Sequence, residues 1–120
     1  MRLTIWTCAV LAAVLPAVQS AAADAGHGKA LFEACAACHT DRPEALGPSL
    51  RGVFGRKSAT LEDYRYSNPM KRANLIWDET NLRDYLADPQ ARVKGNRMPF
   101  GGLRNPADID DIIAYLKGLK

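Results

Sequence analysis

Two cysteines and a histidine stand together in Cys35-Ala36-Ala37-Cys38-His39. On a helix, positions three and four apart share a face, so the two thiols and the imidazole would converge on one side. That arrangement suits a flat macrocycle. The thiols can add to the two vinyl groups of a haem while the imidazole reaches its iron, and the two small alanines let the ring lie close. The spacing is the attachment signal for c-type haem. Rival chemistries fit less well. A thioredoxin-like dithiol needs a βαβ context, which the pattern lacks. A structural zinc site takes four ligands. It would have to enlist His27, which precedes the first predicted helix and is expected at the surface. A disulfide between Cys35 and Cys38 would ask two residues three apart on a helix to bond.

The elements that must position this motif are helical. Residues 28–38 read as a first helix, with Ala30, Leu31, Ala34 and Cys38 near helical spacing. Residues 40–67 are rich in Gly, Pro and polar side chains and read as loops. Asn68-Pro69 opens a short helix that ends near Ala73. Asp78 is a good N-cap for a helix through Leu82, Tyr85 and Leu86, which Asp88-Pro89 stops. Residues 89–104 read as irregular. Asn105-Pro106 opens the last helix, with Ile109, Ile112, Ile113 and Leu116 as its apolar stripe. No segment alternates with period two, so the expected class is all-α. Long loops are unusual in a compact domain unless they have a task, and wrapping a cofactor would be one.

The chain of 120 residues fits one domain after a leader. Met1-Arg2 gives a positive start, Leu3 to Val18 is almost wholly apolar, and Ala21-Ala22-Ala23 supplies small residues for a signal peptidase. We expect a signal peptide at 1–23 and a domain at 24–120, with cleavage after Ala23 and Ala25 as second choice. Cys8 would leave with the leader, so only the Cys35/Cys38 pair remains. Lys+Arg then falls from 16 to 15 against 13 Asp+Glu, taking the formal net charge from +3 to +2. That balance argues against a nucleic-acid partner. The leader itself predicts a protein in the periplasm, with no membrane insertion once it is removed.

Nearly the whole remaining chain resembles class I cytochrome c, the family of the bacterial c2 and c550 carriers and the mitochondrial carrier. The resemblance implies an all-α cytochrome c fold, a small helical domain wrapped around one haem c held covalently through Cys35 and Cys38. The family's Gly-Pro-x-Leu segment stands here as Gly47-Pro48-Ser49-Leu50, and the Pro48 carbonyl would accept the Nδ1–H of His39. The sixth ligand in the family is a loop methionine. Met70 and Met98 are the candidates, and Met98 lies in Lys94-Gly95-Asn96-Arg97-Met98-Pro99-Phe100-Gly101-Gly102, which is similar to the methionine loop. The resemblance therefore gives His39 and Met98 as metal ligands.

By the same resemblance Arg56, Tyr66 and Trp77 fall near a haem propionate. Tyr85 matches the tyrosine that reaches the methionine sulfur, and Phe100 an aromatic at the haem edge. Gly28 and Phe32 match residues that meet Ile112, Tyr115 and Leu116. Two departures stand out. The loop from His39 to Pro48 is shorter than in mitochondrial relatives, and Met70 stands where many relatives have a polar residue. No nucleophile is paired with a base, so no catalytic residues and no enzyme activity are expected.

What the resemblance implies is electron carriage by a monomer. Redox proteins (an oxidase, reaction centre, reductase or dehydrogenase) would meet an exposed haem edge. The alternative is a haem-bearing subunit that accepts electrons within an exported dehydrogenase complex. Arg42, Arg51, Lys57, Arg92, Lys94, Arg97 and Arg104 are expected around the rim, where they would steer an acidic partner or form an ordinary solvated surface.

Overall fold

The structure is a computed structural model that describes residues 13–17 and 21–120. Most of the expected leader, Cys8 included, lies outside the described residues. Residues 13–17 and 21–24 have no regular secondary structure and are exposed. Among the described residues there are five helices: α1 (Ala25–Ala36), α2 (Asn68–Ala73), α3 (Glu79–Ala87), α4 (Pro89–Arg92) and α5 (Pro106–Gly118). None is long and apolar enough to cross a membrane.

The helix starts follow local chemistry. Asp24 caps α1 by accepting from the N–H groups of Gly26 and His27, Ser67 caps α2, Asp78 caps α3 and Asn105 caps α5. Proline opens α2, α4 and α5 near the first helical position, where its missing N–H costs nothing. Two boundaries differ from the sequence reading. α1 starts three residues earlier than expected, because Asp24 pulls Ala25, Gly26 and His27 into the first turn. It also stops at Ala36, so Cys38 and His39 lie just beyond the helix. Asp88 ends α3, but its side chain then accepts from the N–H of Ala91 and caps α4 inside a stretch expected to be irregular.

α1 crosses α5, and this is the main helix pair. Gly28 makes the crossing possible: a Cβ there would sit 1.9 Å from the Asp111 carbonyl oxygen. Phe32 packs one turn on, its ring centroid 5.0 Å from that of Tyr115. α3 packs against the other flank of α5. The α5 stripe of Ile109, Ile112, Ile113 and Leu116 is buried against Phe32, Leu82 and Leu86. Burial of each such side chain contributes about 2 kcal/mol before entropy is counted.

The long loop after α1 is held by paired strands of backbone too short to form a sheet. Gly55 N–H donates to Trp77 O at 2.8 Å, Trp77 N–H to Arg56 O at 2.9 Å and Ser58 N–H to Leu75 O at 2.7 Å. The Ser58 hydroxyl accepts from Leu75 N–H in return, so this buried polar group is satisfied. These bonds fix Arg56 and Trp77 on one wall of a cleft. The class is all-α, as the sequence implies.

Candidate functional site

A largely apolar cleft opens between the end of α1, the 46–67 loops, α3 and the segment after α4. Its empty space, counted out to the mouth, is about 1170 Å³. Cys35, Cys38, His39, Pro48, Arg56, Tyr66, Trp77, Tyr85 and Met98 all line it. Phe100 does not. It is half-buried in the segment that follows Met98, whose turn bonds Phe100 N–H to Met98 O at 2.9 Å.

Cys35 is in the last turn of α1. Although the helix ends at Ala36, the N–H groups of Cys38 and His39 both donate to Cys35 O, at 3.1 and 3.0 Å. The final turn is thereby tightened, and the three chemical groups stay on one side. Both thiols are half-buried and unbridged. Burial pushes the Cys35 thiol above its usual range, and the neighbouring Cys38 adds to that.

His39 is oriented from behind. Its Nδ1 lies 2.7 Å from the Pro48 carbonyl oxygen. A carbonyl can only accept, so Nδ1 carries the proton and Nε2 keeps its lone pair for the cleft. Burial lowers the pKa of the imidazole, with the Pro48 bond opposing, which keeps the ring neutral and able to ligate. Gly47 completes the seat: a Cβ there would lie 2.7 Å from two atoms of the His39 ring. Gly47 N–H donates to Cys38 O at 3.0 Å and closes the loop.

Met98 enters from the opposite wall. Tyr85 O–H donates to Met98 Sδ at 3.5 Å. Burial raises the Tyr85 phenol to about 12, with a contribution from Tyr64, so it stays a neutral donor. The Tyr85 ring also meets Trp77 edge-on at 5.1 Å. Asn96 carries the backbone of this wall. It is buried, its Oδ1 accepts from Met98 N–H at 2.9 Å, and its Nδ2 donates to the carbonyls of Pro89 and Val93, both at 2.9 Å. Gly95 and Gly102, either side of the methionine, both have positive φ, as the loop reading requires.

Arg56 donates to the carbonyls of Arg51 and Ser49, each at 3.0 Å, and burial lowers its pKa. The Tyr66 hydroxyl accepts from Leu61 N–H at 3.2 Å. Together with the Trp77 indole these groups bring donors to a mostly apolar wall. Sequence reasoning missed the part played by Asn96, which read as one polar residue in a loop. Met70, the other candidate ligand and a residue of α2, also lines the cleft. At the mouth, Leu46 is 80 % exposed and its carbonyl accepts from the Tyr64 hydroxyl at 2.8 Å. Of the expected rim cations, Arg51 is paired with Asp41 at 2.7 Å, and Arg97 lines the cleft while donating to Arg65 O.

The residues fit a haem. Two unbridged thiols lie beside a neutral imidazole with a free Nε2, and a thioether comes from the far side. An apolar interior separates the two walls, with polar donors at one end. Comparison with known proteins agrees. The family model described as "Cytochrome c" matches residues 25–120. The cytochrome c2 of Blastochloris viridis is 40 % identical over 121 residues, covering 98 % of this chain and 93 % of that protein. The cytochrome c2 iso-2 of Magnetospirillum fulvum is 49 % identical over 90 residues, covering 73 % and 94 %. The solved structure of cytochrome cH from Methylobacterium extorquens superposes with a TM-score of 0.75 at 42 % identity, covering 79 % of this chain and 98 % of that one. Haem c is attached covalently in this family, and Cys35 and Cys38 stand at the attachment positions. The chain thus belongs to the cytochrome c family, a family of electron carriers.

Proposed function

We propose that the protein carries single electrons between redox proteins outside the cytoplasm, with His39 Nε2 and Met98 Sδ as the two axial ligands of its haem. The observation that carries this reading is the tautomer forced on His39 by Pro48, together with a thioether presented from the opposite wall. When bound, haem supplies an iron that cycles between ferric and ferrous states. The chain's residues do the rest. Cys35 and Cys38 would tether the ring, and Pro48 and Gly47 would hold the imidazole plane. Tyr85 would steady the sulfur. Arg56, Tyr66 and Trp77 would supply donors to a propionate. If His39 and Met98 both hold the iron, no open position would remain for a substrate, and the chain would need little rearrangement on reduction.

The leader at 1–23 supports export to the periplasm and a domain at 24–120. A cleft lined by the exposed Leu46 and by Arg97 suits a brief contact with a redox partner by a monomer. A soft thioether favours ferrous iron. Redox titration of the holoprotein should therefore give a single one-electron wave. Met98→His should move the midpoint potential down strongly, and Met70→Leu only slightly. A large drop from Met70→Leu with none from Met98→His would overturn the ligand assignment.

A further inference from the structure

At the crossing of α1 and α5, three carboxylates face one histidine. Asp111 lies on α5 with its side chain 15 % exposed, and both its oxygens are engaged. Oδ2 is 2.7 Å from His27 Nδ1, and Oδ1 accepts from the backbone N–H of Asp24 at 2.7 Å. Asp108, one turn earlier on α5, brings a further carboxylate within 4.8 Å of the His27 and Asp111 ligand atoms. The Asp24 carboxylate lies on the α1 side and caps that helix. All three acids raise the pKa of His27, first through its hydrogen bond to Asp111. Even a protonated His27 leaves this spot with an excess of negative charge.

Among the described residues, the first hydrogen bond along the chain starts at the Asp24 nitrogen. The Asp24 carbonyl accepts from Gly28 N–H at 2.9 Å, and its carboxylate accepts from Gly26 and His27 N–H at 2.9 and 3.1 Å. Ala21, Ala22 and Ala23 just before it are exposed and outside regular structure, so a peptidase can reach the bond. A cut after Ala25 would instead discard Asp24, and with it the cap of α1 and the bond to Asp111.

We propose that hydrolysis of the Ala23–Asp24 peptide bond makes Asp24 the amino terminus of the working protein, and that the α-ammonium so formed takes the Asp111 carboxylate as its counter-ion. The proposal rests on the reading that the leader is removed. Water is the co-reactant. The C–N bond breaks, hydroxyl stays on Ala23 as its new carboxyl group, and the released amine takes up a proton at neutral pH. A neutral amide donor at 2.7 Å becomes a charged one in the same place, and charge-assisted bonds are the stronger kind. Removal of the leader thereby completes the tie between α1 and α5.

Two sets of measurements separate the cut from the ion pair. The intact mass of exported holoprotein should equal Asp24–Lys120 plus haem; a chain starting at Gly26 would overturn the cleavage site. The ion pair is tested on haem-loaded chains with defined starts. A chain beginning at Asp24 should melt higher than one beginning at Ala23, and Asp111→Asn should abolish the difference. Equal melting of the two wild-type starts would overturn the pair. Should Asp111→Asn fail to fold, the Asp24 α-amine, tagged by ¹³C-dimethylation and followed by NMR, still decides. It should titrate above the ordinary range of about 7.7–8.0. Titration within that range would contradict the pair.

Discussion

The two walls that face each other across the cleft are built differently. On the histidine wall, the partners that fix the ligand residue itself are backbone groups. The turn at Cys35, the Gly47–Cys38 bond and the Pro48 carbonyl fix His39 through backbone hydrogen bonds. Its far end is tied down by Gly52 N–H to Leu119 O at 2.7 Å, and by Asp41, which accepts from Ser49 at 2.8 Å and from Arg51 at 2.7 Å. The methionine wall hangs on side chains. Asn96 holds three backbone groups, Gln90 bonds Asn96 O at 2.9 Å and Gly95 N–H at 3.0 Å, and one phenol touches the sulfur. A wall built on backbone gives way only when the local fold does. A wall hung on side chains can be loosened one residue at a time. On the proposed ligation, Met98 is therefore the ligand that lets go first.

The largest expected effect is on the methionine wall. Asn96→Ala leaves the carbonyls of Pro89 and Val93 and the N–H of Met98 without their partner, so it should cost about 2–3 kcal/mol of stability by denaturant unfolding. It should also speed the binding of external ligands to the reduced protein. Unchanged stability would show that the wall does not hang on Asn96.

On the opposite wall, Gly47→Ala drives a methyl into the His39 ring and should cost about 1–3 kcal/mol. Its distinguishing mark is a change in the low-spin spectrum from a displaced imidazole, with Met98 still bound. Loss of Met98 in preference to His39 would reverse the ranking of the two walls.

Tyr85→Phe removes a single hydrogen bond to sulfur and keeps the ring against Trp77. We expect a loss of no more than about 1 kcal/mol, with a small shift of potential in the redox titration.

How much of this was legible in the sequence follows from the same contrast. The starts of α2, α3 and α5 were readable because Asn68-Pro69, Asp78 and Asn105-Pro106 act locally. The start of α1 was not, because Ala25, Gly26 and His27 carry no apolar period and the turn is organised by the Asp24 carboxylate. α4 has only four residues, too few for any period to show. The Cys35 to His39 motif was readable because its spacing is its chemistry. Asn96 was not, since its partners Pro89 and Val93 come together only once Asp88 has capped α4. Phe100 was carried over by resemblance to the cleft edge, but the turn after Met98 leaves it out of the lining.

The smallest effect lies outside the cleft lining and serves as a control. The pKa of His27 is raised above its usual 6.5, first by its hydrogen bond to Asp111. Its contribution to stability is therefore fully present below about 6.5 and is lost as pH rises through the folded-state value. That of Asp111 is lowered from 3.8, first by the Asp24 N–H bond, so its contribution is lost as pH falls through its depressed value. His27→Gln should flatten the decline in melting temperature on the alkaline side and leave the cleft spectrum unchanged. A changed spectrum would mean that the helix crossing and the cleft are coupled.

The most direct test of the central claim is the visible spectrum of the reduced holoprotein, matured with a cytochrome c assembly system and then exposed to carbon monoxide. With His39 and Met98 filling both axial positions, the low-spin c-type spectrum should persist under the gas, while Met98→Ala binds it at once. Rapid binding by the unmodified protein would contradict the account and leave Met98 without its role.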